Sequence, residues 1–301
     1  MKVLYIGGTG RSGSTLLDQI LGQLDGFFAV GELSQIWERG LVSRRKCGCG
    51  IPVPECPVWH PILARAFGQP WTVDPSRIAR LKGSRRSLSS LILGRYMNRP
   101  GDIEYQRAVE TLYMAVQQET GCRVIVDSSK SPVHAKRLDS FPDVDVYFVH
   151  LVRDPRATAY SWLRKRTLPD FGDDRLMLRQ SPLETARRWV RWQLVAELLW
   201  RRKPDRYLLL KYEDFVREPR GAVEQILRFV GETASPSPFV GKSAVRLGPT
   251  HSVSGNPSRF QTGTVEVRDD REWEDNMQRG HRIFVTALTW PLLVKYGYGL
   301  H

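Results

Sequence analysis

Short apolar, β-branched runs alternate with amphipathic stretches along this chain. Residues 2–6 read as a strand, which feeds a glycine-rich turn and then a helix over 14–24. Residues 123–126, 146–152 and 207–210 read as three more strands, and 146–152 is apolar enough to be buried on both faces. Between them the 3.6-residue period predicts helices over 104–119, 155–166, 183–202 and 219–230. A last helix spans 277–295, with Pro291 as a kink point. This alternation predicts an α/β fold, a central parallel sheet flanked by helices on both faces. Residues 38–103 are rich in Arg, Pro and Trp and read as an insertion over one end of the sheet, and 235–275 reads mostly as loop. No repeat or linker divides the 301 residues, so 1–301 is read as a single domain.

Composition narrows the picture. Apolar residues are 41% and charged residues 26%, as in an ordinary globular chain and unlike a disordered or fibrous one. The longest tempting apolar run, 283–294, is shorter than the ~20 residues a membrane span needs, so no span is expected. The apolar run 3–6 is too short for a signal-peptide core, so a cytoplasmic location is expected. The net charge of +13 points to an anionic partner. Much of the excess sits in 39–107, with thirteen Lys/Arg against four Asp/Glu. No zinc-finger or RNP-like pattern supports a nucleic-acid reading.

The strongest local signal is GGTGRSGSTLL, residues 7–17, on a strand–turn–helix. Glycines let successive N–H groups face an anion, and the helix start adds partial positive charge. The spacing Gly8-x4-Gly13-x-Thr15 matches a P-loop except that Ser14 fills the lysine slot. A nucleotide-hydrolysing P-loop needs that lysine, which weighs against a P-loop small-molecule kinase, the alternative reading. The loop offers Arg11, Ser12, Ser14 and Thr15 instead. Lys130 follows the second strand, and Arg153 leaves the third, where Asp154-Pro155 opens a helix carrying Ser161. Ligands of parallel α/β sheets bind outside the carboxyl ends of the strands, so these features share one rim.

These motifs resemble the PAPS-dependent sulfotransferases, which move a sulfuryl group from 3′-phosphoadenosine 5′-phosphosulfate to an acceptor hydroxyl or amine. The resemblance implies a P-loop NTPase-like sulfotransferase fold, PAPS as donor, PAP as product and a hydroxyl-bearing acceptor. By it, Gly10, Arg11, Ser12, Gly13, Ser14 and Thr15 form the 5′-phosphosulfate loop. Arg153 and Ser161 grip the 3′-phosphate, Tyr212 in LKYEDF lies near the adenine, and Arg259 in HSVSGNPSRF is a second 3′-phosphate ligand. The cytosolic phenol and steroid enzymes place a catalytic His two residues after the Lys matching Lys130; Pro132 stands there in this chain. The chain is therefore similar rather to the carbohydrate- and tyrosylprotein-sulfating and bacterial branch, in which a Glu follows the loop helix. Glu32 matches that residue and is the expected general base, with His134 the alternative. Arg11 and Lys130 are expected to balance the sulfuryl charge in an in-line transfer without a metal.

The acceptor is left open among small molecules, glycans and lipid headgroups. Residues 33–110 and 164–182 are expected to shape its pocket, with Trp37, Trp59, Trp71 and Tyr96 as candidate walls. A homo-oligomer also stays open. Three cysteines cluster in CGCGIPVPEC, at Cys47, Cys49 and Cys56, and Cys122 stands alone. Their C-x-C spacing departs from the usual zinc pattern and His60 is the nearest fourth ligand, so ordinary loop or core thiols and no metal are expected.

Overall fold

The computed structural model describes residues 1–83, 100–171, 175–233 and 237–300. Five parallel strands form the central sheet: β1 (Lys2–Gly8), β2 (Phe27–Gly31), β3 (Val124–Lys130), β4 (Asp145–Val152) and β5 (Tyr207–Lys211). Their spatial order is β2-β3-β1-β4-β5, every neighbour pair parallel. In β1, Val3, Leu4, Tyr5 and Ile6 are all fully buried, as a central strand covered on both faces requires.

The two-residue period sorts the core into two halves. Val3, Tyr5, Ile125, Val146 and Phe148 share one buried cluster. Onto it pack α2 (Trp59–Phe67), α4 (Pro100–Thr120), α5 (Pro132–Leu138) and the end of α7 (Pro182–Trp200). Leu4, Ile6, Val126, Val149 and Leu151 share the other, with α1 (Ser14–Leu21) and α9 (Pro219–Val230). Between these helices lie α3 (Pro75–Gly83), α6 (Pro155–Leu163) and α8 (Tyr212–Arg217), and α10 (Glu272–Asn276) and α11 (Arg279–Lys295) close the chain. Pro291 lies inside α11.

The cap chemistry fits the sequence. Asp154 Oδ1 accepts from Arg156 N at 2.7 Å ahead of Pro155, and Ser181 with Glu184 forms a capping box on α7.

The structure holds three features that the sequence reading lacked. Residues 27–31 form the edge strand β2, where the sequence showed only an apolar run. Residues 132–138 form the helix α5, with the Ser131 hydroxyl accepting from His134 N at its start. Within 235–275, β6 (Ala244–Leu247) and β7 (Gly263–Glu266) make an antiparallel hairpin, and Pro257–Phe260 makes a 3-10 turn. Residues of the Arg/Trp-rich stretch join the first core half: Leu41, Cys47, Val53, Cys56, Trp59 and Ile62 are buried with Tyr5 and Phe148.

Candidate active site

A cavity of about 720 Å³ opens at the carboxyl ends of the strands. It sits where β1 meets β4, the point at which the strand order reverses, as open α/β sheets favour. Gly10, Arg11, Gly13, Ser14, Thr15, Glu32, Lys130, His134, Arg153, Ser161 and Tyr212 all line it. Ser12 and Arg259 do not. The Ser12 hydroxyl is buried and donates to Thr9 O at 2.8 Å, which shapes the turn from within.

Gly13 sets the loop. Its φ of +86° is left-handed, and a Cβ there would lie 2.5 Å from Tyr212 Cδ2. Helix α1 begins at the next residue with no side-chain cap and no acid in its first turn. The first helical bond is Leu17 N to Gly13 O, so the N–H groups of Ser14, Thr15 and Leu16 precede it. Such a start is an anion-binding end.

Two non-glycine residues of the site also hold left-handed backbone, Arg11 (φ +68°) and Lys130 (φ +71°). Each costs about 1–3 kcal/mol of local strain and persists because its surroundings enforce it. The Arg11 guanidinium lies 4.8 Å from the Trp162 ring centroid, and its Nη1 finds no hydrogen-bond partner among the described residues. Burial, with Arg166 and Arg164 nearby, lowers its pKa to about 10, so it stays charged at neutral pH.

Lys130 Nζ lies 2.5 Å from Glu32 Oε1 and donates to Ser128 O at 3.1 Å. Arg39 Nη1 approaches Glu32 Oε2 at 3.3 Å. Burial pushes the Glu32 carboxyl up, but the Lys130 and Arg39 cations outweigh it and hold the group below its usual range. Glu32 is therefore ionised at neutral pH. Its backbone N–H donates to Ser254 O at 3.2 Å, which ties it to the late loop. His134 shares the cavity, with an Nε2 that has no partner among the described residues. Burial, then Arg137 and Lys82, depress its pKa well below the ordinary imidazole value, so it is neutral.

Arg153 donates to Arg11 O at 3.0 Å and to Asp270 O at 3.1 Å, with its guanidinium 4.3 Å from the Tyr212 ring centroid. The ring thus lies against both Arg153 and Gly13. Arg259 is fully buried; its Nη2 pairs with Asp170 Oδ1 at 2.5 Å and donates to Lys46 O at 3.1 Å. Asn256 N donates to Thr15 Oγ1 at 3.2 Å, which docks the late loop on the glycine-rich turn.

Several lining residues were not singled out by the sequence reading, although Arg39, Leu81 and Tyr105 fall within 33–110 and Leu168 and Leu178 within 164–182, the stretches expected to shape the acceptor pocket. Arg39 reaches Glu32 through a 3-10 turn and a π-helical stretch, a path that no simple spacing marks. Trp162, Trp192, Tyr105, Leu81, Leu168 and Leu178 supply the apolar walls. Trp37 and Trp59, expected there, are core residues; Trp71 packs against the core, and Tyr96 lies outside the described residues. Among the described residues, nine Lys and Arg side chains line the cavity against two carboxylates, Glu32 and Asp270. The arrangement can cradle a multiply charged anion beside an ionised carboxylate.

Comparison with known proteins agrees. The family model described as "Sulfotransferase family" matches residues 4–236. The structure is similar to the sulfotransferase domain from the curacin biosynthetic pathway, with a TM-score of 0.57 and 17% identity, over 99% of this chain and 98% of that one. It is also similar to the sulfotransferase domain of the Synechococcus PCC 7002 olefin synthase, with a TM-score of 0.51 and 19% identity, over 100% and 96%. At these identities the likeness is one of fold. No curated protein sequence matches the chain. A parallel sheet with an uncapped phosphate-type turn at its carboxyl end, and a family match over most of the length, lead to one assignment: this chain belongs to the sulfotransferase family.

Proposed function

We propose that the chain, as a single domain over 1–301, transfers the sulfuryl group of PAPS to a hydroxyl of its acceptor and releases PAP. The observation that carries this reading is the Glu32 carboxylate, held ionised by Lys130 and Arg39, in one cavity with Arg11 and the uncapped start of α1. The acceptor oxygen bonds to sulfur while its proton passes to Glu32, and the bond from sulfur to the 5′-phosphate oxygen breaks, leaving its electron pair on PAP. Glu32 supplies the base that a neutral alkyl hydroxyl needs. Arg11, Lys130 and the loop amides carry the charge that gathers on the sulfuryl oxygens. Arg153 and Ser161 take the 3′-phosphate, and Tyr212 lies by the adenine. Buried Arg259 shapes the late loop rather than touching the donor.

A second reading of the base rests on His134. Its imidazole is neutral and its Nε2 is unpartnered among the described residues, which is the form that accepts a proton.

Thermal shift tests the donor. PAP should raise the melting temperature by mass action, with ATP-magnesium and a random oligonucleotide raising it little. Equal stabilisation by ATP-magnesium would favour the kinase alternative. Labelled PAPS offered with small alcohols, glycans and lipid headgroups then identifies the acceptor class.

A further inference from the structure

Cys47, Cys49 and Cys56 lie in one loop, and the fold brings His251 to them from some two hundred residues away. Their four ligand atoms all lie within 4.8 Å of one another. Cys49 Sγ and Cys56 Sγ are 3.7 Å apart, and His251 Nδ1 is 3.3 Å from Cys56 Sγ and 3.8 Å from Cys47 Sγ. His60, the expected fourth ligand, is elsewhere: its Nδ1 faces Pro54 O and its Nε2 faces Gln69.

We propose that Cys47, Cys49, Cys56 and His251 hold one zinc ion in a closed tetrahedral site. A tetrahedron with Zn–S near 2.3 Å and Zn–N near 2.05 Å has sulfur–sulfur edges of about 3.8 Å and sulfur–nitrogen edges of about 3.6 Å. The three separations above lie within about 0.3 Å of those edges, and no two of the four atoms are more than 4.8 Å apart. Three thiolates and an imidazole are a soft set that suits zinc and not magnesium or calcium. Four protein ligands fill the shell, so the ion is structural and leaves no open position for chemistry.

The surroundings are those of a ligand knuckle. Gly50 turns the loop at φ +88°, and Cys47 N donates to Ile51 O at 2.7 Å. Gly48 lets the two segments touch, for a Cβ there would lie 2.6 Å from Thr250 Oγ1. Trp59 Nε1 donates to His251 O at 2.6 Å, and Gly48 N to Ser252 O at 3.0 Å. A disulfide fits worse: a sulfur–sulfur bond is about 2.05 Å long and would use only two of the four groups.

The site clamps the chain that runs from His251 into the donor cavity. Ser254 bonds Glu32 and Arg39, and Gly255, Asn256 and Ser258 line the cavity.

The test needs no activity. The full chain, expressed with zinc supplied and dialysed without chelator, should carry about one equivalent of zinc by mass spectrometry. A mercurial should release it as the thiols react. Cobalt-loaded chain should show thiolate-to-cobalt charge-transfer bands and intense visible bands of a tetrahedral ion. Cys49→Ser, at the half-buried ligand, should lose the metal, and His251→Cys should keep it with stronger charge-transfer absorption. Wild-type chain with under about a tenth of an equivalent and no cobalt bands overturns the proposal. So does a disulfide found among these thiols in freshly prepared chain.

Discussion

Glu32 is a carboxylate whose two oxygens face two cations, Lys130 and Arg39. Glu32→Gln keeps its size and removes the charge. We expect kcat to fall by about 10²–10⁴, with PAP affinity nearly unchanged by calorimetry. If Glu32→Gln keeps near-normal kcat while His134→Ala is inactive, the proton goes to His134. Arg153 is proposed for the other task, binding the 3′-phosphate. Arg153→Ala should cost PAP about one to two decades of affinity, the worth of a charged hydrogen bond of roughly 1.5–3 kcal/mol. Adenosine 5′-phosphosulfate, without a 3′-phosphate, should lose much less; equal losses would remove Arg153 from that role. Single residues such as these were legible because each leaves a strand end or follows the loop helix. The burial of Arg259 was not. It depends on Asp170, 89 residues earlier, and a polar loop carries no sign of such a partner.

Among the contacts that hold the glycine-rich turn, Gly13 packs against the Tyr212 ring at the start of α8. Gly13→Ala forces a left-handed alanine, costing about 1–3 kcal/mol from backbone alone, and drives its methyl into the ring. Denaturant midpoints should show the loss. Combining it with Tyr212→Leu should restore part of that loss, since the two sites share the clash; strict additivity would mean that the ring does not enforce the turn. Strands β1, β3 and β4 were readable from β-branched runs, and β5 from the apolar run 207–210 that follows a polar, Pro-containing stretch. Strand β2 was not, because the run Phe27 to Val30 carries one β-branched residue and follows the loop helix almost directly. The cysteine loop was readable as a cluster, but its histidine comes from beyond the last strand of the central sheet. Only the folded path of 250–254 along β2, with Val253 N bonded to Val30 O, brings it there.

The charge of the whole chain gathers where the cavity is, and burial sets its pH response. Burial, joined by the like charge of Arg39, lowers Lys82 to about 8 despite nearby Glu38, and Lys82 lines the cavity. As pH rises through about 8, the cavity loses this charge, so PAP affinity should fall by a factor of a few. Lys82→Arg, which stays protonated, should flatten that limb; an unchanged limb would acquit Lys82. Stability runs the other way. The folded pKa lies below the unfolded one, so the buried charge opposes folding fully below pH 8, and that cost fades as pH climbs toward the ordinary lysine value. The Arg259–Asp170 pair sets another property of the whole. Its partners belong to two walls, the late loop over the phosphate turn and the 164–182 segment beside the apolar side of the cavity. Separating two such buried charges is costly, about 3–5 kcal/mol when one partner is lost. The pair therefore ties the two walls to each other. If the proposed transfer holds, the spent nucleotide and the new ester are expected to leave through one coupled opening, and Asp170→Asn should let the two products depart at separate rates in a stopped-flow release assay.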